Sequence, residues 1–411
     1  MVRGLPRRRG GVYVLALGTA LLVTVIGVSA LLVARGQRIA IADAQDFCRA
    51  RHAALAAIDV GLEAMEASSN WRTLLPSGAW VTSASLGGAR LSLRGEDPDD
   101  GNLTDNKADP VVLTGTGYCG HARYQVSVRL VPPVVPLPIL AHALHAQASV
   151  DVKSGNTLTL SGGPLSSNGS VTTSGNVVGD VIALSVSNPA RVTGQITAPG
   201  PTHEAPDASV FAAYAALATP LATPSTMEKT VLSPACNPWG RPALEGVYFL
   251  NLTGNTTIRN MRIVGTLVVR SNGKNLVIDQ NVLIEPARRD YPALIVDGNV
   301  DLNVDSAGTL SEAARAVNFN PPGTAWQGVA DDDQTDTYPS EIRGLVHVRG
   351  TLKLRGTTLI RGAVICESSA SVEGNTRIVT APTLAEQPPK GYTTFGTPEI
   401  VPGTWQQTLP P

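Results

Sequence analysis

The chain has 411 residues, a net charge of −1 and 43% hydrophobic residues, enough apolar material for two or three folded domains and too much for a disordered chain. The near-neutral balance argues against nucleic acid as the main partner. Forty glycines and thirty prolines against five phenylalanines point to many turns and small β-branched residues, and away from an aromatic-rich globular core.

Residues 12–34 contain no charged side chain and lie between Arg7-Arg8-Arg9 and Arg35. At about 1.5 Å per residue a helix over this run covers roughly 34 Å, enough to cross a hydrocarbon core of about 30 Å with some tilt. Arg3, Arg7, Arg8 and Arg9 outweigh Arg35 and Arg38, so the positive-inside rule puts residues 1–11 in the cytoplasm as a basic leader and everything after the span outside. A cleaved secretory signal is the rival reading. It fits less well, because the run exceeds the usual apolar core of about 7–15 residues and no convincing A-x-A site follows. Residues 35–70 continue as helix, rich in alanine. Ile39, Phe47, Leu55, Ile58, Leu62 and Met65 recur at helical spacing while Arg49, Arg51, Asp59, Glu63 and Glu66 can face water, which makes an amphipathic stem.

A basic leader ending in Gly10-Gly11, an apolar span and an alanine-rich amphipathic extension together resemble type IV pilin-like proteins, in particular PilX-type minor pilins and GspK-type pseudopilins. The resemblance covers about the first 70 residues. It implies prepilin-type cleavage after Gly10 or Gly11, other pilin-like subunits as partners, and a place in the cell envelope. A typical major pilin carries phenylalanine at the first mature position and glutamate at the fifth. Cleavage here would put Leu15 or Ala16 at the fifth, which excludes an ordinary major subunit and leaves the minor ones that also lack the glutamate.

Residues 71–132 alternate apolar and polar in Val81-Thr82-Ser83, Ala89–Arg94, Val111-Val112-Leu113 and Tyr124–Leu130, which predicts a small antiparallel sheet able to cover the apolar side of the stem. Between two of these strands lie Asp97, Asp99, Asp100, Asp105 and Asn106 around Gly101. Such a loop could hold Ca2+ through oxygen ligands, although the EF-hand spacing is absent and a solvated hairpin loop is the plainer reading. Residues 133–149 form a proline-rich linker. His142 and His145 fall within it, three apart in a short possible helix, at a metal-compatible spacing but without an acidic motif beside them.

From residue 150 to 380 the sequence is a string of three- and four-residue apolar pulses separated by glycine, asparagine or serine. That pattern suits short stacked strands better than a sandwich. Gly344-Leu345-Val346-His347-Val348 recurs as Gly362-Ala363-Val364-Ile365-Cys366, a spacing of one coil. The expected fold is therefore an α+β pilin-like N-terminal part, a long hydrophobic helix plus a small antiparallel sheet, followed by an all-β right-handed parallel β-helix, or solenoid. A helical insertion is expected near 207–218 and a loop insertion near 305–341, whose Asp331–Asp336 run could again take Ca2+ or simply be solvated. Residues 381–411 read as a proline-rich strap or frayed end. Cys48, Cys119, Cys236 and Cys366 allow three disulfide connectivities; Cys48–Cys119 with Cys236–Cys366 would stay within domains, and four free buried thiols are an equal alternative.

No nucleophile elbow, HExxH, P-loop or dinucleotide fingerprint is present, so no enzymatic chemistry is expected. Strand alternation puts His347, Arg349, Lys353 and Arg355 on the outward side of adjacent strands, a candidate basic patch for an anionic glycan, with a solvated face as the plain alternative. The reading is a single-pass structural protein of the inner membrane, with a periplasmic or extracellular C-terminal part serving assembly or adhesion in a type IV pilus or type II secretion-like system. A surface-anchored carbohydrate-binding or carbohydrate-active β-helix is the alternative.

Overall fold

The structure, a computed structural model, describes residues 10–68 and 70–408. It divides into two compact units, one formed by residues up to 134 together with those from 395 onward, the other by residues 135–394.

The first unit is organised by one helix, α1 (Gly10–Glu66). Its residues 11–45 are exposed, and its second half is packed. After the short helix α2 (Trp71–Leu74) come β1 (Gly78–Leu86), β2 (Ala89–Glu96), β3 (Val111–Cys119) and β4 (Ala122–Val131), paired antiparallel in that order. The face of α1 that meets the sheet is Ala50, Ala53, Ala54, Ala57, Ile58 and Met65, all buried with Leu91, Leu93, Val111, Leu113, Val126 and Val128. Leu55 and Leu62 pack only partly against it, and Ile39 and Phe47 are exposed, so the stem's buried face is mainly its alanine face. The cause lies in β3. A Cβ on Gly117 would stand 1.9 Å from the Ala50 carbonyl oxygen, and one on Gly115 2.3 Å from that of Ala54. Two strand glycines thus let helix and sheet backbones meet at a distance that only small helix side chains allow. Where a strap or frayed end was expected, Glu399–Ile400 and Gln406–Thr408 instead pair antiparallel with β4; positions 409–411 lie outside the described residues.

The second unit is a parallel sheet of 24 strands. Val346–Val348, Leu352–Leu354 and Leu359–Arg361 pair in register with residues eighteen further on, Val346 with Val364, Leu352 with Ala370 and Ile360 with Ile378, so the spacing between the Gly344 and Gly362 repeats is a pairing register. Alternate side chains of these strands, among them Val346, Val348, Leu352, Leu354, Ile360, Val364, Val372 and Ile378, share one buried core. Each such side chain contributes about 1.5–3 kcal/mol relative to exposure.

Chain order is not stacking order. The C-terminal strand Val364–Cys366 pairs with Leu144–Ala146, and Thr376–Val379 with Thr157–Ser161. The strands of this sheet begin at Leu144, within the expected linker. Residues 144–197 stack to one side of this junction, and residues 219–379 approach it from the other. Between them runs α3 (Ser209–Leu217). Its Val210, Phe211 and Tyr214 cover the outward side chains Val247, Val268, Ile295 and Ile365 together with Leu140, Leu384 and Tyr392.

The insertion near 305–341 is anchored, while its 332–335 tip is exposed. Leu310, Phe319 and Tyr338 bury against Leu283. Buried Arg262 donates to the carbonyls of Phe319, Thr324 and Ala325 and to Glu285 at 2.9–3.0 Å. Buried Glu312 accepts from Phe319 N, Asp336 N and the Tyr338 hydroxyl.

Candidate functional site

The first candidate is the exposed half of α1. Gly10 and Gly11 stand at its first turn, and the arginines at positions 3, 7, 8 and 9 lie outside the described residues. From Val12 to Val33 it presents Tyr13, Leu15, Leu17, Leu21, Ile26, Leu31 and their neighbours to the outside. It is long and apolar enough to cross a membrane. The hydroxyls of Thr19, Thr24 and Ser29 donate back to carbonyls three or four residues earlier, so these three are satisfied within the helix.

The four residues read as a basic patch do not form one. His347 is 1% exposed, held between the Tyr392 hydroxyl and Glu367, each at 2.9 Å. Arg349 pairs with Asp297 at 3.2 Å and Glu367 at 3.4 Å, and Arg355 with Asp301 at 2.9 Å and Glu373 at 3.1 Å. Lys353 is exposed. The acids lie on or beside neighbouring strands of the sheet, 18 to 54 positions away, which is why the local pattern did not reveal them. Burial raises the Glu367 carboxyl, but the His347 hydrogen bond and charge and the Arg349 guanidinium outweigh it and hold Glu367 below its ordinary range. With both arginines paired to acids, this row is largely neutralised internally and ties adjacent strands of the sheet together.

His142 and His145, the second on the strand Leu144–Ala146 and not in a helix, do meet, and the fold adds a third histidine. Both Nδ1 atoms lie against the Ser166 hydroxyl, at 2.6 and 2.7 Å. His203 from the segment preceding α3 brings its ring to within 4.8 Å and 5.6 Å of theirs. That segment is fastened by Asn168, whose Oδ1 accepts from His203 N and whose Nδ2 donates to His203 O. Burial, with the charge of His203 second, pushes His142 down to about 4. Burial, with His203 and His142 next, pushes His145 down to about 3. His142 and His145 are thus kept neutral at ordinary pH, and burial lowers His203 as well. Among the described residues the three histidines are not one of the groups whose ligand atoms gather within 4.8 Å of one another, as the donors of a metal site must. The four cysteines are free thiols. Cys48 is exposed while Cys119 donates to Asp46, and Cys366 to the Gly350 carbonyl, so neither of the two disulfides considered is formed.

The acidic loop between β2 and β3 gathers three carboxylates, Asp97, Asp105 and Asp109, with oxygens within 4.8 Å of one another. Asp109 falls outside the run singled out in the sequence. Burial first, then the charges of Asp97, Asp105 and Asp100, raise its carboxyl against the opposing pull of Arg72. Arg72 donates to the main-chain carbonyls of Leu103, Lys107 and Asp109.

No protein-family model matches the chain, and no curated protein does. Among solved structures, the competence-associated pilin ComZ from Thermus thermophilus aligns over 88% of this chain and 98% of its own at 13% identity, with a TM-score of 0.34. The glycosylated ice-binding protein LeIBP from Arctic yeast aligns over 60% of this chain and 94% of its own at 11% identity and a TM-score of 0.31. An ice-binding protein from the Antarctic ascomycete Antarctomyces psychrotrophicus aligns over 60% and 100% at 14% identity and a TM-score of 0.30. Likeness at this level assigns no function.

Proposed function

We propose that this chain is a non-enzymatic, pilin-like subunit of the cell envelope. It is anchored by a single span with its N-terminus in the cytoplasm, joins a type IV pilus or type II secretion-like filament as a minor component, and carries a right-handed β-solenoid on the far side for assembly or adhesion. The observation that carries the reading is α1 itself: one unbroken helix whose first half is apolar and bare and whose second half is fixed to an antiparallel sheet by an alanine face. A bare apolar helix of that length needs either lipid or the helices of neighbouring subunits around it. A rigid continuation into the folded unit, in place of a flexible linker, suits a helix that moves from one to the other with its head attached. The ion-paired row around Arg349 and Arg355 lends nothing to the glycan-binding alternative.

Transfer from bilayer to filament requires the leader to be gone, because drawing Arg7, Arg8 and Arg9 across hydrocarbon costs about 2.5–3.5 kcal/mol each even on lenient scales. The expected mature N-terminus is Gly11 or Val12. Intact-mass measurement on protein from its native membrane tests this. A chain that keeps residues 1–10 in the presence of a prepilin peptidase rejects the filament role and leaves a static anchor, and a start beyond Ala34 rejects both.

A further inference from the structure

We propose that Asp97, Asp105 and Asp109 form a calcium site that fastens the loop between β2 and β3. Two oxygens bound to one calcium at about 2.4 Å can stand no more than about 4.8 Å apart, and oxygens from all three carboxylates meet that limit. The second, independent sign is Asp97. It is 4% exposed, its Oδ1 accepts from Asp99 N at 2.7 Å, and its Oδ2 is buried without any hydrogen-bond partner. A carboxylate oxygen in that position lacks the compensation that burial demands, and a cation between it and the two neighbouring acids supplies it.

The local cations do not take that role by charge alone. Among the described residues, 71–74 and 97–110 hold five carboxylates, Asp97, Asp99, Asp100, Asp105 and Asp109, against two cations, Arg72 and Lys107. Arg72 uses both terminal nitrogens on main-chain carbonyls and stacks on Trp71 at 4.6 Å. The donor set is oxygen only, which selects a hard cation over zinc or copper. Oxygens within 4.8 Å of one another match what calcium's longer and more variable bonds allow, whereas magnesium, at about 2.1 Å, tolerates no pair more than about 4.2 Å apart. Asp105 is exposed and Asp109 half-buried, so water can complete the shell. A bound ion would join the end of β2 to the start of β3, just past Pro110, and would close a loop already shaped by Asp100, Asn102 and Asn106 side chains accepting from main-chain N–H groups two residues ahead.

The test uses the full chain in detergent micelles, stripped with chelator and titrated with calcium by equilibrium dialysis, with hydrogen exchange of residues 97–110 as the structural readout. The expected result is one ion bound with a dissociation constant between about 10⁻⁶ and 10⁻³ M, slower exchange in that loop, and weaker response to magnesium. Asp105→Asn and Asp109→Asn, at accessible positions, should each weaken binding by roughly tenfold or more, and Asp333→Asn, in the other acidic run, should leave it unchanged. Absence of binding up to about 10 mM calcium, or binding that both loop variants leave intact, or binding lost in Asp333→Asn, overturns the proposal.

Discussion

Replacing Gly117 by alanine adds one methyl group at the place where β3 meets α1. The new Cβ would lie 1.9 Å from the Ala50 carbonyl oxygen and 2.8 Å from Ala54 N, roughly 1.5 Å short of an ordinary contact. These obstacles are helix backbone, which cannot rotate aside as a side chain can, so the helix has to withdraw along its whole alanine face. A gap of about 0.5–1 Å already forfeits a quarter to a half of each dispersion contact, and Ala50, Ala53, Ala54 and Ala57 are all in that layer. Overpacking of this kind costs about 1–3 kcal/mol, and the backbone obstacle puts Gly117→Ala near the upper end. A domain of this size then melts lower by roughly 10 °C. The near-UV dichroism of the first unit's Trp71–Trp80 pair, whose rings sit edge to face at 6.1 Å, reports the transition in detergent. Gly254→Ala, where a Cβ meets nothing within 4 Å, serves as the control and should stay within about 0.5 kcal/mol of the parent. If Gly117→Ala melts with the parent protein, the close approach of helix and strand is wrong and so is the account of the stem.

Val364→Asp should unfold the second unit or destabilise it by several kcal/mol, since Val364 is fully buried and pairs with Val346 on one side and Leu144 on the other; an unchanged urea midpoint would mean that its side chain does not face the core. Acid should weaken the same unit before its carboxylates are protonated. The unfolded chain binds protons at histidine near 6.5, whereas His142 and His145 resist them down to about 4 and about 3. Stability is therefore full above about pH 6.5 and falls with decreasing pH until the folded values are reached, by several kcal/mol in total. A pH series of urea midpoints checks this, and the double variant His142→Asn, His145→Gln should flatten the slope between pH 6.5 and 4.

The features that depend on one local stretch of chain were legible without a structure. A charge-free run long enough to span hydrocarbon is a property of consecutive residues. So are the two-residue alternation of Tyr124–Leu130 and the recurrence of Gly344-Leu345-Val346 at Gly362-Ala363-Val364, which became a register of paired strands. What needed the tertiary structure was the identity of neighbours. Residues 364–379 rest on 144–161, more than 200 positions away, because parallel strands of similar pattern can stack in several orders and only the crossover through α3 selects one. Shorter separations, still beyond any local pattern, hid Glu367, Asp297, Asp301 and Glu373 from Arg349 and Arg355, and His203 from His142 and His145. The stem's alanine face carries little hydrophobic signal of its own; it becomes the buried face because Gly115 and Gly117, on another element, leave room for nothing larger. Periodicity is written in the chain, whereas contacts between distant strands are set by which surfaces remain to be covered once each element has formed.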